Sequence, residues 1–323
     1  MSHSSHFRML CLLLVIGLNA CSIAPPKKPH PIDLNVVYST NDASSGLLAQ
    51  HAPLLRIENG HREFNKIGTV IASRDEKGKE RIEIDTRQAT LYSEQISFQG
   101  QHGRYTNLIY RFHFNRVPFS VLPFNLTYGR NVGLFVIITL NEDDKPVLVS
   151  TVHSCGCYLA FVPTDQLIDS AYPADWSKNS QSVLGETLPG FLEKISDKSR
   201  FIIDLRNSNH RVYDVSLASS DHLSNDRKSV PMRLEPISNL RNLPLGDEKI
   251  SMFAQRGVRK GYVKGSHKPF EALLMSWWAF DPRIGVDKDY GDPEKTGTIF
   301  YTSLKPWNRK ASNMWPFTDF LEF

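Results

Sequence analysis

Residues 133–140, GLFVIITL, are apolar without a break and rich in β-branched side chains. The run is far shorter than the ~20 apolar residues of a membrane-spanning helix. It is also too uniformly apolar for a strand with one wet face. A strand covered on both sides satisfies it, because both of its faces then meet core. The residues that follow, NEDDKP, supply turn chemistry, and VLVSTVH (147–153) returns as an antiparallel partner. Whatever else this chain builds, it must contain a sheet buried on both sides.

Other segments add to that sheet. GTVIASRDEKGKERIEID (68–85) reads as a hairpin turning at Gly78. In YRFHF, Tyr110, Phe112 and Phe114 alternate with Arg111 and His113, which puts the aromatic rings on one face. Two runs beginning at Phe201 and Arg211 pair as strands, and TGTIFYTSL (296–304) is a last one. Helices are expected over LPGFLEKI (188–195) and KPFEALLMSWWAF (268–280), and after Pro316, where Phe317, Phe320 and Leu321 share a face. The class is therefore α+β: a predominantly antiparallel β-sheet core with a few short helices, mainly C-terminal. Residues 164–186 are polar and turn-rich and mark a weak sub-boundary within a body spanning 36–323.

The chain opens MSHSSHFRMLCLLLVIGLNACSIAPP. One firm positive charge, Arg8, precedes an apolar run from Met9 to Leu18, about half a membrane span, which fits a secretory signal over residues 1–20. Leu18-Asn19-Ala20-Cys21 resembles the lipobox of bacterial lipoproteins. That resemblance implies cleavage before Cys21, acylation of its sulfur and amine, and residence in a Gram-negative envelope. Ser22, rather than aspartate, implies the outer membrane, with the body facing the periplasm. Several acyl chains hold firmly, since each buried methylene contributes about 0.8 kcal/mol. Residues 21–35 follow as a proline-rich tether.

A lipidated Cys21 and a cleaved Cys11 leave Cys155 and Cys157 as the only thiols of the mature body. They sit in His153-Ser154-Cys155-Gly156-Cys157, at the end of the expected central strand. On a straight strand, His153, Cys155 and Cys157 share a face with about 6.6 Å between successive members, too wide for one small ion. Gly156 can bend the chain and draw the sulfurs together. Three readings stay open. With a further ligand such as His113 or His102, the site suits zinc or copper(I). As a redox pair it is a small strained ring, and as a structural bridge it pins a strand end.

Two weaker motifs follow. Arg256, Arg259, Lys260, Lys264 and Lys268 are interleaved with glycines and suit an anion such as a lipid head group or cell-wall polymer. Asp287, Asp289 and Asp292 gather oxygen ligands for calcium, but Asp292 stands where an EF-hand needs glycine. Four of the five tryptophans, Trp277, Trp278, Trp307 and Trp315, cluster near the C-terminus. No nucleophile elbow, phosphate-binding loop, zinc-protease helix or dinucleotide fingerprint is present. A formal charge of +4 is too slight to point to nucleic acid. The expectation is an envelope lipoprotein with a binding or structural role, partnered by the membrane and by other envelope components. The rival is a periplasmic thiol-disulfide or metal-dependent enzyme using the same three residues.

Overall fold

In the computed structural model, residues 35–40, 46–122, 124–172, 176–183, 185–196, 199–219 and 229–290 are described. The expected central hairpin is formed by β7 (Gly129–Leu140) and β8 (Pro146–His153), paired antiparallel from Leu134↔His153 to Leu140↔Pro146. Its turn is set by Asn141, whose side-chain oxygen accepts from the amides of Asp143 (3.1 Å) and Lys145 (2.9 Å). Every β8 residue is buried, and so is every β7 residue except Arg130. Alternation divides them between two cores. Leu134, Val136 and Ile138 join one core, while Phe135 and Ile137 join the other.

The hairpin extends through β6 (Gly103–Val117) and β5 (Ala89–Gly100), the long antiparallel neighbours of β7. On β6, Tyr110, Phe112 and Phe114 enter the inner core as expected. Arg111 takes the other face, its guanidinium over the rings of Phe135 (4.8 Å) and Phe253 (5.1 Å). Near its end β6 also pairs with β3 (Ile67–Arg74), which forms the expected hairpin with β4 (Glu80–Asp85) around Gly78.

Beyond β5 the sheet continues with short strands from distant parts of the chain: β1 (Val36–Thr40), β2 (Leu54–Ile57), β12 (Ser199–Leu205), β13 (Val212–Ser219) and β14 (Ser229–Pro236). With β9 (Ala160–Pro163) at the other edge, the order is β13-β12-β2-β1-β14-β5-β6-β7-β8-β9. Three of its pairings are parallel, β1 with β14, β2 with β12, and β5 with β14; the others are antiparallel. The molecule is a β-rich, nearly closed, barrel-like sheet with few helices.

A small hairpin, β10 (Ser180–Val183) and β11 (Glu186–Pro189), links the two edges. On one side Gln181 donates to Phe161 O on β9. On the other, Glu186 holds Arg206 at 2.9 Å and Arg211 at 3.2 Å beside the β12–β13 turn. Here the helix expected over 188–195 is overturned. Leu188 and Pro189 end β11, and Leu192 donates its amide to Pro163 O (2.9 Å), so the segment runs alongside β9. Pro189 and Gly190 break the helical pattern that the spacing of Leu188, Phe191 and Leu192 suggests. If Glu186 closes this seam, Glu186→Gln should cost about 1.5–3 kcal/mol, the range for charged hydrogen bonds. Amide exchange should then speed up first in β10 and β11.

The outer face of β5–β8 is covered by residues 237–290. Ile237, Leu240, Met252, Phe253 and Val263 pack against Phe135, Ile137 and Leu148. The cover includes the hairpin of β15 (Leu243–Leu245) and β16 (Glu248–Ile250). Helix α2 (Pro269–Ala279), expected from sequence, follows with Pro269 in its first turn. The only other α-helix among the described residues is the single turn α1 (Leu47–Gln50). The last expected strand (296–304) and the helix after Pro316 lie outside the described residues, as do Cys21, Asp292, Trp307 and Trp315.

Candidate functional site

β8 stops at His153, and the chain folds back at once. Gly156 donates its amide to His153 O (2.7 Å), and His153 donates its amide to Cys157 O (2.9 Å). Gly156 takes φ +97, a conformation that favours glycine, so the bend needs it. Within the bend the two sulfurs are near enough for the Cys157 thiol to favour a thiolate at Cys155 by hydrogen bonding. Both cysteines are free; Cys155 is buried and Cys157 half-buried. The His153 ring does not join them. Its Nε2 lies 3.0 Å from His210 O, a carbonyl that can only accept, so that nitrogen carries the proton. His210 in turn donates to Phe64 O (2.9 Å) and stacks on Phe114 at 3.7 Å. Burial drives both histidines down to about 3, so both are neutral.

Beneath the sulfurs lies a buried charged cluster drawn from three further segments. Asp287 is its hub. One carboxylate oxygen accepts from Ser154 Oγ and from the Gly133 amide (3.2 Å), and the other accepts from Ser266 Oγ (2.9 Å). Lys268 Nζ stands 3.6 Å from Asp287 and 3.9 Å from Glu271. Lys288 donates its ammonium to Cys155 O (2.8 Å) and its amide to Ser154 O (2.9 Å). Residues 154–157, 266–271 and 285–288 are thereby stitched to β7 as one unit.

The electrostatics follow from that packing. The hydrogen bond from Cys157 is the main force lowering Cys155 to about 6; burial opposes it, and Lys268 assists. Cys157 is pushed far up by holding that bond and by burial, so the pair keeps one proton between two sulfurs. Burial works against the charge on Lys268, but Asp287, Cys155 and Glu271 outweigh it and hold Lys268 well above the usual lysine value. Burial raises Glu271 to about 7, with the Cys155 charge adding to the effect. Burial lowers Lys288. Gly285 makes room for this arrangement: a Cβ there would lie 1.9 Å from Glu271 Oε2, and its φ is +76. Gly285→Ala should therefore lower stability by about 1–3 kcal/mol in urea unfolding, the typical cost of overpacking.

No family model, curated protein or solved structure matches this chain. The site has to be judged on its own geometry.

Of the expected ligands, only Cys155 and Cys157 come together. His113 lies against Gly133 and beside Ser154, but its Nε2 is 3.1 Å from Arg111 Nε. Burial and Arg111 together hold it well below the usual histidine value. His102 is in the β5–β6 turn, 3.5 Å from Ser170 Oγ at the surface. Among the described residues, no three His, Cys, Asp or Glu side chains are arranged to hold a metal. The basic motif disperses: Lys268 is in the buried cluster, Lys264 pairs with Glu80 at 2.5 Å, and Arg259 donates to Ser266 O (3.2 Å). Arg256 and Lys260 are exposed. Asp287 and Asp289 face separate partners, since Asp289 pairs with Arg241 at 2.8 Å. The sequence reading missed Ser154, Ser266, Glu271 and Lys288, none of which belongs to a recognisable motif. The available signal was the polar intrusion of VDKDY after an apolar helix.

Proposed function

We propose that this chain is a lipoprotein of the Gram-negative envelope, anchored through Cys21, whose body carries a reversible Cys155–Cys157 dithiol/disulfide couple. One observation carries the redox reading: two free thiols sit two residues apart on a glycine bend, where the charge of the buried Lys268 favours the Cys155 thiolate. A purely structural bridge has no use for a buried cation, whereas a thiolate does. The absence of His153 from the sulfurs favours this reading over a three-ligand metal centre. An α+β class with mainly C-terminal helices remains our finer description of the fold, and α2 supports it.

The exchange chemistry needs a disulfide-bearing partner. Cys157 is the more accessible sulfur, and it attacks once the shared proton passes to Cys155. A mixed disulfide forms at Cys157, and one partner sulfur leaves as thiolate. Cys155 then attacks the Cys157 sulfur and expels the second partner sulfur. The two leaving thiolates take up the shared proton and one from solvent, so the partner is reduced by two electrons and the pair is oxidised.

Equilibration in glutathione redox buffers, followed by acid quench and thiol alkylation, tests this. The expected result is a single two-electron transition in the folded protein, abolished by Cys155→Ser or Cys157→Ser. Thiols that stay free at every ratio would sink the redox reading, as would a bridge that reduces only after unfolding. Stoichiometric zinc or copper in the purified protein would restore the metal reading.

A further inference from the structure

The β6–β7 connection is not a tight turn. Residues 118–122 and 124–128 form an apolar tongue whose Phe119, Val121, Leu122 and Phe124 are exposed, Leu122 to 92%. The tongue is held in place by Phe270 in the first turn of α2, whose ring centroid is 5.1 Å from that of Phe124, 5.9 Å from Tyr128 and 6.0 Å from Phe119. From Phe270 the same helical stripe runs on to Leu273 and Trp277, exposed to 72% and 57%. Phe280 ends it in a left-handed conformation, φ +50, and is 77% exposed. A bulky side chain in that conformation at the surface is uncommon. A continuous apolar surface of this kind marks a docking site rather than chance exposure.

The base of the tongue carries charge. Arg116 and Arg130 flank it in sequence and face each other directly across β6 and β7. Like charges opposite one another on neighbouring strands destabilise a sheet unless something neutralises them. Both line a groove of about 760 Å³ together with Lys79, Arg81, Arg259 and Lys264. Its acids are already engaged: Glu80 with Lys264, Glu83 with Arg81, and Asp75 with the amides of its own turn. Among the described residues neither Arg116 nor Arg130 forms a direct ion pair, although Glu63 feels the charge of Arg116.

We infer that this end of the barrel docks on an anionic lipid bilayer, with the tongue and the α2 stripe in the acyl boundary and Arg116 and Arg130 on lipid phosphates. An apolar tip ringed by guanidinium groups matches a membrane interface in order and in sign. A protein partner would have to place acids beside an exposed apolar seat. The inference does not depend on Cys21 or on the redox reading.

The test uses the full chain with a photoreactive benzoylphenylalanine at position 122, or at position 143 in the β7–β8 turn at the opposite end of the same strands. Each protein is irradiated with vesicles of phosphatidylethanolamine and phosphatidylglycerol. Lipid adducts are expected at position 122 and few at 143. Arg116→Glu with Arg130→Glu should cut the yield at 122 by about tenfold or more, from the loss of two basic contacts near the surface. Both arginines are exposed, so the reversal removes no buried contact. As a second check, Leu122→Asp with the probe at position 121 should cut labelling comparably. Adducts to residues 291–323, adducts to a second copy, equal lipid labelling at both positions, or no adduct at 122 would each overturn the inference.

Discussion

Asp287→Ala is expected to be the most damaging single substitution in the body, costing about 3–5 kcal/mol, the usual penalty for breaking a buried ion pair from one side. The carboxylate receives Ser154 Oγ, Ser266 Oγ and the Gly133 amide and sits 3.6 Å from Lys268 Nζ. Alanine leaves those donors buried without an acceptor and removes the nearest countercharge of a lysine that is 1% exposed. Asp287→Asn separates the two contributions, because it keeps an acceptor for Gly133 and loses the charge. Its cost should fall between wild type and alanine. Urea unfolding with an unchanged slope measures both. A loss below about 1 kcal/mol for the alanine variant would mean that the cluster relaxes or takes in water, and that Asp287 is no hub.

The same residue shows where reading the sequence stopped. GLFVIITL was legible as a doubly covered strand because the cause is local: an unbroken apolar run has only one way to hide both faces. The β3–β4 hairpin and α2 were legible for similar reasons, a glycine turn in one case and a proline-opened apolar stripe in the other. β14 was not. It is mostly exposed, contains Pro231 and Pro236, and finds its place only by parallel pairing with β1 and β5. No periodicity encodes such a pairing, because its partners lie more than a hundred residues away.

The site divides in the same way. Cys155, Gly156 and Cys157 announced themselves by rarity and spacing. The bend at Gly156 was legible too, because a straight strand spaces the sulfurs too widely. The direction of the His153 ring was not: the strand ends at His153, and the ring turns to His210 O, 57 positions away in the chain. Lys268 and Asp287 each stood in a motif read separately, one as part of an anion loop and one as a calcium ligand. Their true partners are one another and Ser154, and the separation of 133 positions between Ser154 and Asp287 hides that from any local pattern.

The reduced protein should gain stability as pH rises from about 7 to 9, the window in which Cys155 is the shifted buried group that titrates. Cys155 is lowered from 9.0 to about 6 in the fold. Between those values the unfolded chain holds a proton that the folded chain lacks, so stability rises with pH, complete above 9 and lost below 6. Glu271 is raised from 4.5 to about 7. Between those values the folded chain holds the extra proton, so Glu271 taken alone lowers stability as pH rises, while His113, His153 and His210, all held well below 6.5, act the other way up to pH 6.5 and outweigh it. The Cys155 shift is worth on the order of 3 kcal/mol at 1.36 kcal/mol per unit. Chemical denaturation from pH 7 to 9 under reductant reads the Cys155 limb. Cys155→Ser should erase the rise above pH 7. Glu271→Gln should leave that rise in place. A curve that stays flat from pH 7 to 9 in the reduced wild type would mean that Cys155 holds no thiolate in the fold, and the redox reading would lose its physical basis.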